Sequence, residues 1–328
     1  MQPNPPFIAF DLEGPLSPND NAYELMQLFP GGDQLFQIIS RYDDILTEEG
    51  RKGYEPGDTL ALIVPFLIYH GISPEDILRL AEEASFIPGA KELIALLQSH
   101  GWKVHCITTT YLPYARRLAQ KLGIDTGMVW GTVLSLDYYR EVIPQKRLDM
   151  IALVEQEISQ LKPHRDDLKI KEKLDKLFWD SEKELTWLLQ ETKPMGGRRK
   201  LLALRSLALS YRLSLKETVA VGDSITDFRM LEGVNKAGGL AIAFNANQYA
   251  LPHATMSLAS TNIGDLWPIL DAWAKGGKEA AQEVVQAKEK RDGDRDRDNF
   301  HWLEGKTPPL EIHARIRRMV REKAAELG

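Results

Sequence analysis

The chain has 328 residues, 43% of them hydrophobic and 27% charged, with a formal net charge of −6 at pH 7. These values suit a globular protein built as one large domain or as a core with an inserted one, and the negative balance gives no reason to expect nucleic-acid binding. The single cysteine, Cys106, excludes an intrachain disulfide and argues against a thiolate zinc site.

In chain order, Met1 to Pro6 lacks the basic start and apolar stretch of a signal peptide, so a cytoplasmic protein without membrane insertion is expected. Residues 7–10 form an apolar run that ends in Asp11, skips Leu12, places Glu13 and turns on Gly14. That pattern predicts a buried strand with a carboxylate at its C-terminal tip, where α/β sheets bind ligands. Residues 16–86 read as helical. Their most apolar run, 60–72, contains Pro65 and is too short to span a bilayer, so it predicts a buried helix.

Pro88-Gly89 opens a helix over 90–99. A second strand over 104–107, with Cys106 as a small buried hydrophobe, leads into Thr108-Thr109-Thr110. A helix over 113–122 stops at Gly123. Residues 135–194 carry long charged helical patterns at 148–161 and 166–189, most of whose charges read as solvated faces. Gly196-Gly197-Arg198-Arg199 then precedes Lys200 in a helix over 198–212. A strand over 218–221 ends in Gly222-Asp223-Ser224-Ile225-Thr226-Asp227, and another over 240–244 ends in Asn245. Residues 292–298 read as a flexible charged link. Residues 313–327 read as a basic helix with Ile316, Met319 and Val320 on one side, docked on its own domain or on a partner subunit.

Strands alternating with helices predict an α/β fold, a doubly wound Rossmann-like core with a mainly parallel sheet. The core is assigned to residues 1–15, 87–134 and 195–272. Residues 16–86 and 135–194 are helical insertions too long for plain crossovers, and 273–328 is a charged helical extension.

Four segments at strand ends or at a helix start, in this order, supply what phosphoryl transfer from a monoester needs. Asp11 is a carboxylate that can attack phosphorus. Asp11 and Asp223, with Asp227 in support, offer the hard oxygens that Mg²⁺ prefers. Thr108, the amides after it and Lys200 can hold the non-bridging oxygens. Glu13 can protonate the leaving alkoxide and then serve as a base toward water. Taken singly, each segment has an ordinary reading as a turn, a cap or a surface lysine. Arg41 is a candidate for a substrate carboxylate or phosphate, or for a surface pair with Asp43 or Asp44. Thr109 and Asn245 are candidates to line the cleft, with Tyr54, Glu55, Asp58 and Tyr111 as further possibilities.

Together the segments resemble the four motifs of the haloacid dehalogenase (HAD) superfamily of aspartyl-phosphate phosphatases. Asp11-Leu12-Glu13-Gly14 matches the first, Thr108 the second, Lys200 the third, and Gly222-Asp223 with Asp227 the fourth. The core is most similar to the phosphoserine phosphatase branch. The whole chain also resembles a mainly archaeal group, some of whose members carry the name energy-converting hydrogenase A subunit R, through residues 13–22, 40–44, 53–60 and 243–245. The resemblance implies Asp11 as nucleophile and Mg²⁺ held by Asp11, Asp223 and the backbone carbonyl of Glu13. It implies Thr108 and Lys200 as positioners of phosphate and nucleophile, and the first insertion as a cap over substrate. The first motif usually has aspartate where this chain has Glu13. The expected activity is hydrolysis of a small phosphorylated metabolite. The alternatives are transfer to an alcohol acceptor, or a regulatory or assembly subunit that forms a homodimer or meets a partner subunit through the C-terminal extension.

Overall fold

The computed structural model describes residues 6–179, 185–290 and 299–321. The expected link at 292–298 lies outside them, as do residues 322–327 of the expected C-terminal helix.

β1 (Phe7–Phe10) is followed by four helices: α1 (Asn21–Met26), α2 (Gly32–Glu48), α3 (Thr59–Tyr69) and α4 (Pro74–Glu83). Next come α5 (Ala90–Ser99), β2 (Lys103–Tyr111), α6 (Leu112–Lys121) and β3 (Val129–Thr132). The second helical group is α7 (Leu136–Val142), α8 (Gln145–Ile158), α9 (Asp167–Phe178) and α10 (Thr186–Glu191). The chain then runs through α11 (Arg198–Ser210), β4 (Thr218–Gly222), α12 (Phe228–Ala237), β5 (Leu240–Phe244) and β6 (Met256–Ala259). It continues through α13 (Trp267–Glu289), which breaks at Gly277, β7 (Asn299–Trp302) and α14 (Leu310–Arg321).

The strands form one sheet in the order β3-β2-β1-β4-β5-β6-β7. All neighbours are parallel except β7, which runs antiparallel along β6 with Trp302 opposite Met256. β1 is buried on both faces because helices cover both. Ile8 and Phe10 join one apolar cluster, while Phe7 and Ala9 join a second with Leu204 and Leu207 of α11 and Leu231 of α12. Such strands read as unbroken apolar runs, which is why β1 is visible in the sequence. Chain order reverses between β1 and β4, so their C-terminal ends open a crevice at a topological switch point.

Four strand and helix expectations need correction. β3, β6 and β7 were not anticipated: β3 carries Gly131, β6 is Met-Ser-Leu-Ala, and β7 follows a dense charge run. The pattern expected as one helix over 166–189 is two, since α9 ends at Phe178 and α10 begins at Thr186. β7 lies inside the stretch expected as a helical extension. Of the expected apolar side of α14, Ile316 is buried and Val320 packs against the core, but Met319 is exposed, and His313, Arg317 and Arg321 are buried beside them.

The two insertions pack together above the sheet. Arg41 of α2 donates to Asp167 at 2.8 Å, Arg51 to Asp175 at 2.9 Å, and Trp179 Nε1 to the Tyr42 hydroxyl at 2.9 Å. α3 is buried almost all round, as an apolar helix without a polar face must be. Among the described residues no single helix is long and apolar enough to cross a membrane, although α3 and α4 pass that test as a pair bent by 117°.

Candidate active site

Asp11 stands at the tip of β1, where its N–H still bonds to the carbonyl of Val221 in β4 at 2.8 Å. The chain then folds back sharply, with Ser17 N–H on the Leu12 carbonyl and Gly14 N–H on the Ser17 carbonyl. Gly14 has φ +97°, and a Cβ there would lie 2.3 Å from the Asp223 carboxylate. Only glycine lets the β1 turn approach the β4 turn this closely.

Lys200 arrives from the first turn of α11, whose start is tied to the β4 turn by Gly197 N–H on the Thr226 carbonyl at 2.8 Å. Its ammonium is fully buried and donates to Asp11 Oδ2 at 2.6 Å, Asp227 Oδ1 at 2.7 Å and Thr226 Oγ1 at 3.3 Å. A buried charge is tolerable only with such partners. Burial alone would lower the Lys200 pKa, but Asp11 and Asp227 outweigh it and raise it. Burial, followed by repulsion from Asp227, pushes Asp11 up to about 7 against the pull of Lys200. The other oxygen of Asp227 accepts from the N–H groups of Asp223 and Ser224 at 2.9 and 3.1 Å, which fixes the β4 turn.

Carboxylate oxygens of Asp11, Asp223 and Asp227 lie within 4.8 Å of one another. Asp223 Oδ1 is buried with no hydrogen-bond partner among the described residues. An all-carboxylate cluster with an unsatisfied buried oxygen fits a hard divalent cation such as Mg²⁺. The Glu13 carboxylate stands apart from this trio. It accepts from Asn21 N–H at 2.8 Å and is bonded by Thr110; burial, then Asp20, holds its pKa well above the usual carboxylate range.

Thr108 Oγ1 is buried against Thr110, and Thr109 Oγ1 donates to the Met195 carbonyl at 3.3 Å. Asp11, Glu13, Thr108, Thr109 and Asp223 line one cleft of about 110 Å³.

Two expected substrate residues are not placed to do that work. Arg41 points its guanidinium at Asp167, with Asp44 and Glu48 at 3.7 and 3.5 Å, and so joins the insertions to each other. Asn245 sits at φ +46°, and its side-chain amide exchanges bonds with both Ser260 backbone groups at 2.8 and 2.9 Å. That clasp joins the turns after β5 and β6 and uses the side chain up. Glu55 and Asp58 hold the first insertion on the start of α11, through Arg198 N–H and the Arg199 guanidinium. Tyr54 donates to Asp43, and Tyr111 to the Leu60 carbonyl.

The sequence reading missed Arg317 and Arg321, which reach Asp223 from α14. Their four-residue spacing after His313 was the only available signal.

The model of the haloacid dehalogenase-like hydrolase family matches residues 90–265. The chain belongs to that family. It is 24% identical over 263 residues to a phosphoserine phosphatase of Archaeoglobus fulgidus, covering 80% of this chain and 59% of that protein. It is 28% identical over 130 residues to a phosphoserine phosphatase of Idiomarina loihiensis, covering 34% and 58%. The chain thus spans under two thirds of the length of both curated relatives. Among solved structures, a gene product of Archaeoglobus fulgidus is 32% identical with a TM-score of 0.87 over 99% of both chains. A substrate-bound phosphoserine phosphatase shares the fold, with 18% identity and a TM-score of 0.51 over 80% of this chain and 97% of that one.

Proposed function

We propose that this protein is a Mg²⁺-dependent phosphatase that hydrolyses a small phosphomonoester through an aspartyl-phosphate on Asp11. The observation that carries the reading is the buried group of Asp11, Lys200, Asp223 and Asp227 at the switch point of the sheet. A magnesium ion held by Asp11 and Asp223, with Asp227 behind them, would offset the repulsion between nucleophile and phosphate dianion.

The residues themselves divide the work. The Asp11 carboxylate attacks phosphorus as the bond to the leaving oxygen breaks. Lys200 fixes that carboxylate and spreads positive charge toward the phosphoryl oxygens. Thr108 and the amides beyond it complete the cradle. Glu13, whose burial favours the protonated acid, gives its proton to the leaving alkoxide. It then takes one from the water that cleaves the aspartyl-phosphate and frees inorganic phosphate and Asp11. The two insertions act together as a cap that excludes bulk water and large ligands, which favours a small metabolite over a phosphoprotein.

Phosphoserine, named for the relatives, is the first ester to assay, within a broad panel and with Mg²⁺. Wild-type protein should release phosphate, and Asp11→Asn should lose at least about 10³-fold in kcat, as removal of a nucleophile does. No release from any ester by folded, Mg²⁺-binding protein would sink the proposal. Phosphate appearing on added serine or homoserine, rather than in solution, would replace hydrolysis by transfer. That outcome is worth testing because Glu13 is one methylene longer than the usual acid of its motif.

A further inference from the structure

We propose that Arg317 and Arg321 of α14 are substrate-binding residues that hold the anionic oxygens of the phosphoryl group beside Asp11. The inference rests on the phosphatase reading and extends it to residues beyond the family match, which ends at 265.

His313, Arg317 and Arg321 recur every four residues and so share one face of α14. His313 Nδ1 accepts the Ala246 N–H at 2.9 Å and pins the helix to the turn after β5. Arg317 Nη1 donates to Asp223 Oδ2 and approaches the carbonyls of Asp223 and Asn245, each at 3.4 Å. Arg321 Nη1 reaches the same Asp223 oxygen at 3.0 Å, and its Nε reaches the Pro18 carbonyl at 3.3 Å. Arg321 therefore bridges the turns after β1 and β4, on either side of the nucleophile.

Charge gives the reason for two guanidiniums. The cleft is lined by Asp11, Glu13, Asp20, Asp43, Asp44 and Asp223, and among the described residues Arg317 and Arg321 are its only cationic lining. One arginine would suffice to pair Asp223; the second is surplus. At the centre, Asp11, Asp223 and Asp227 balance Lys200, Arg317 and Arg321. A divalent cation and a phosphate dianion entering together keep that balance. Without the arginines the loaded site would hold two uncompensated negative charges.

Geometry agrees. A cation among the three carboxylates would satisfy Asp223 in place of the guanidiniums and leave their N–H groups to the next anion. Asp11 and Asp223 oxygens lie within 4.8 Å of each other, so a phosphoryl group on Asp11 lies against that pair. The guanidinium fork matches phosphate oxygens two at a time.

The test is calorimetric binding of inorganic phosphate to the full chain with saturating Mg²⁺, and of Mg²⁺ alone, for wild type, Arg317→Met and Arg321→Met. Each variant should bind phosphate about 10- to 100-fold more weakly, the worth of a charged hydrogen bond. Each should bind Mg²⁺ at least as tightly as wild type. Thermal melting checks the fold. If Arg317→Met fails to fold, Arg321→Met still leaves Arg317 on Asp223 and carries the test. Unchanged phosphate affinity in a folded variant whose wild type binds and releases phosphate would overturn this inference alone, and tighter Mg²⁺ binding beside it would mark α14 as a shield for Asp223. Wild type that neither binds phosphate nor hydrolyses any ester would overturn the phosphatase reading as well.

Discussion

Lys200 joins Asp11, Asp227 and Thr226 at one buried ammonium. Replacing it by methionine keeps its bulk but leaves Asp11 and Asp227 facing each other without a cation. Breaking a buried pair in this way costs about 3–5 kcal/mol, so Lys200→Met should unfold at distinctly lower urea concentration. Part of that loss should return with Mg²⁺, which replaces the missing charge; equal loss with and without Mg²⁺ would contradict the clustering of these groups. At this scale the sequence was informative where chain position implied geometry. Asp11 and Asp223 follow strand ends, Lys200 opens a helix, and Thr108 lies where β2 shifts register between Ile107 and Tyr111; the structure brings them to one crevice. Arg317 and Arg321 had no such marker, because an arginine on a basic helix has the same local pattern whether it faces water or a carboxylate. For Arg41 the pairing reading holds, with Asp44 at 3.7 Å, but its main partner Asp167 lies 126 residues away, and the Asn245 side chain is claimed by Ser260 after the next strand.

α14 is held by groups that titrate, and His313 sets the direction. Burial, then the nearby His301, lowers the His313 pKa to about 3, well below its ordinary 6.5. The docked helix therefore carries neutral His313, with Nδ1 as the acceptor of the Ala246 N–H. An undocked helix takes up a proton below pH 6.5 while the docked one does not. Docking is thus at full strength above pH 6.5 and weakens as pH falls toward 3, by at most about 1.4 kcal/mol per pH unit for one proton. Amide exchange in residues 310–321 should accelerate over that window relative to β1 and β4. Protection in α14 that stays constant from pH 7 to pH 4 would refute this role. The same helix shows why some elements were hard to read. Its buried side mixes Ile316 and Val320 with His313, Arg317 and Arg321, so apolar periodicity marks only part of it and wrongly includes the exposed Met319. β3, β6 and β7 have four residues each, too few for a period of two to stand out from their surroundings.

At the scale of the whole molecule, the fold class was legible because β1, β4 and β5 run parallel and are buried along their whole length. The union of the two insertions was not, since it depends on pairs such as Arg51 with Asp175, 124 residues apart. The carboxylate trio should also govern overall stability. Mg²⁺ at a hundredfold excess over its Kd should stabilise the protein by about 2.7 kcal/mol through mass action. Asp223→Asn should lose that gain; a melting temperature indifferent to Mg²⁺ in the wild type would count against the metal site. The site joins residues from nearly the full span of the sequence, with Asp11 to Lys200 separated by 189 positions and Pro18 to Arg321 by 303. A ribosome adding about 5–20 residues per second delivers the nucleophile roughly 15–60 s before the arginines that face it. During synthesis the site is therefore assembled in stages, with a carboxylate, then a lysine, then an acidic turn, and last the guanidiniums. If the proposed role of α14 is right, nascent chains stalled before it should capture no phosphate, and the site would meet phosphoesters only once the chain had been made through α14.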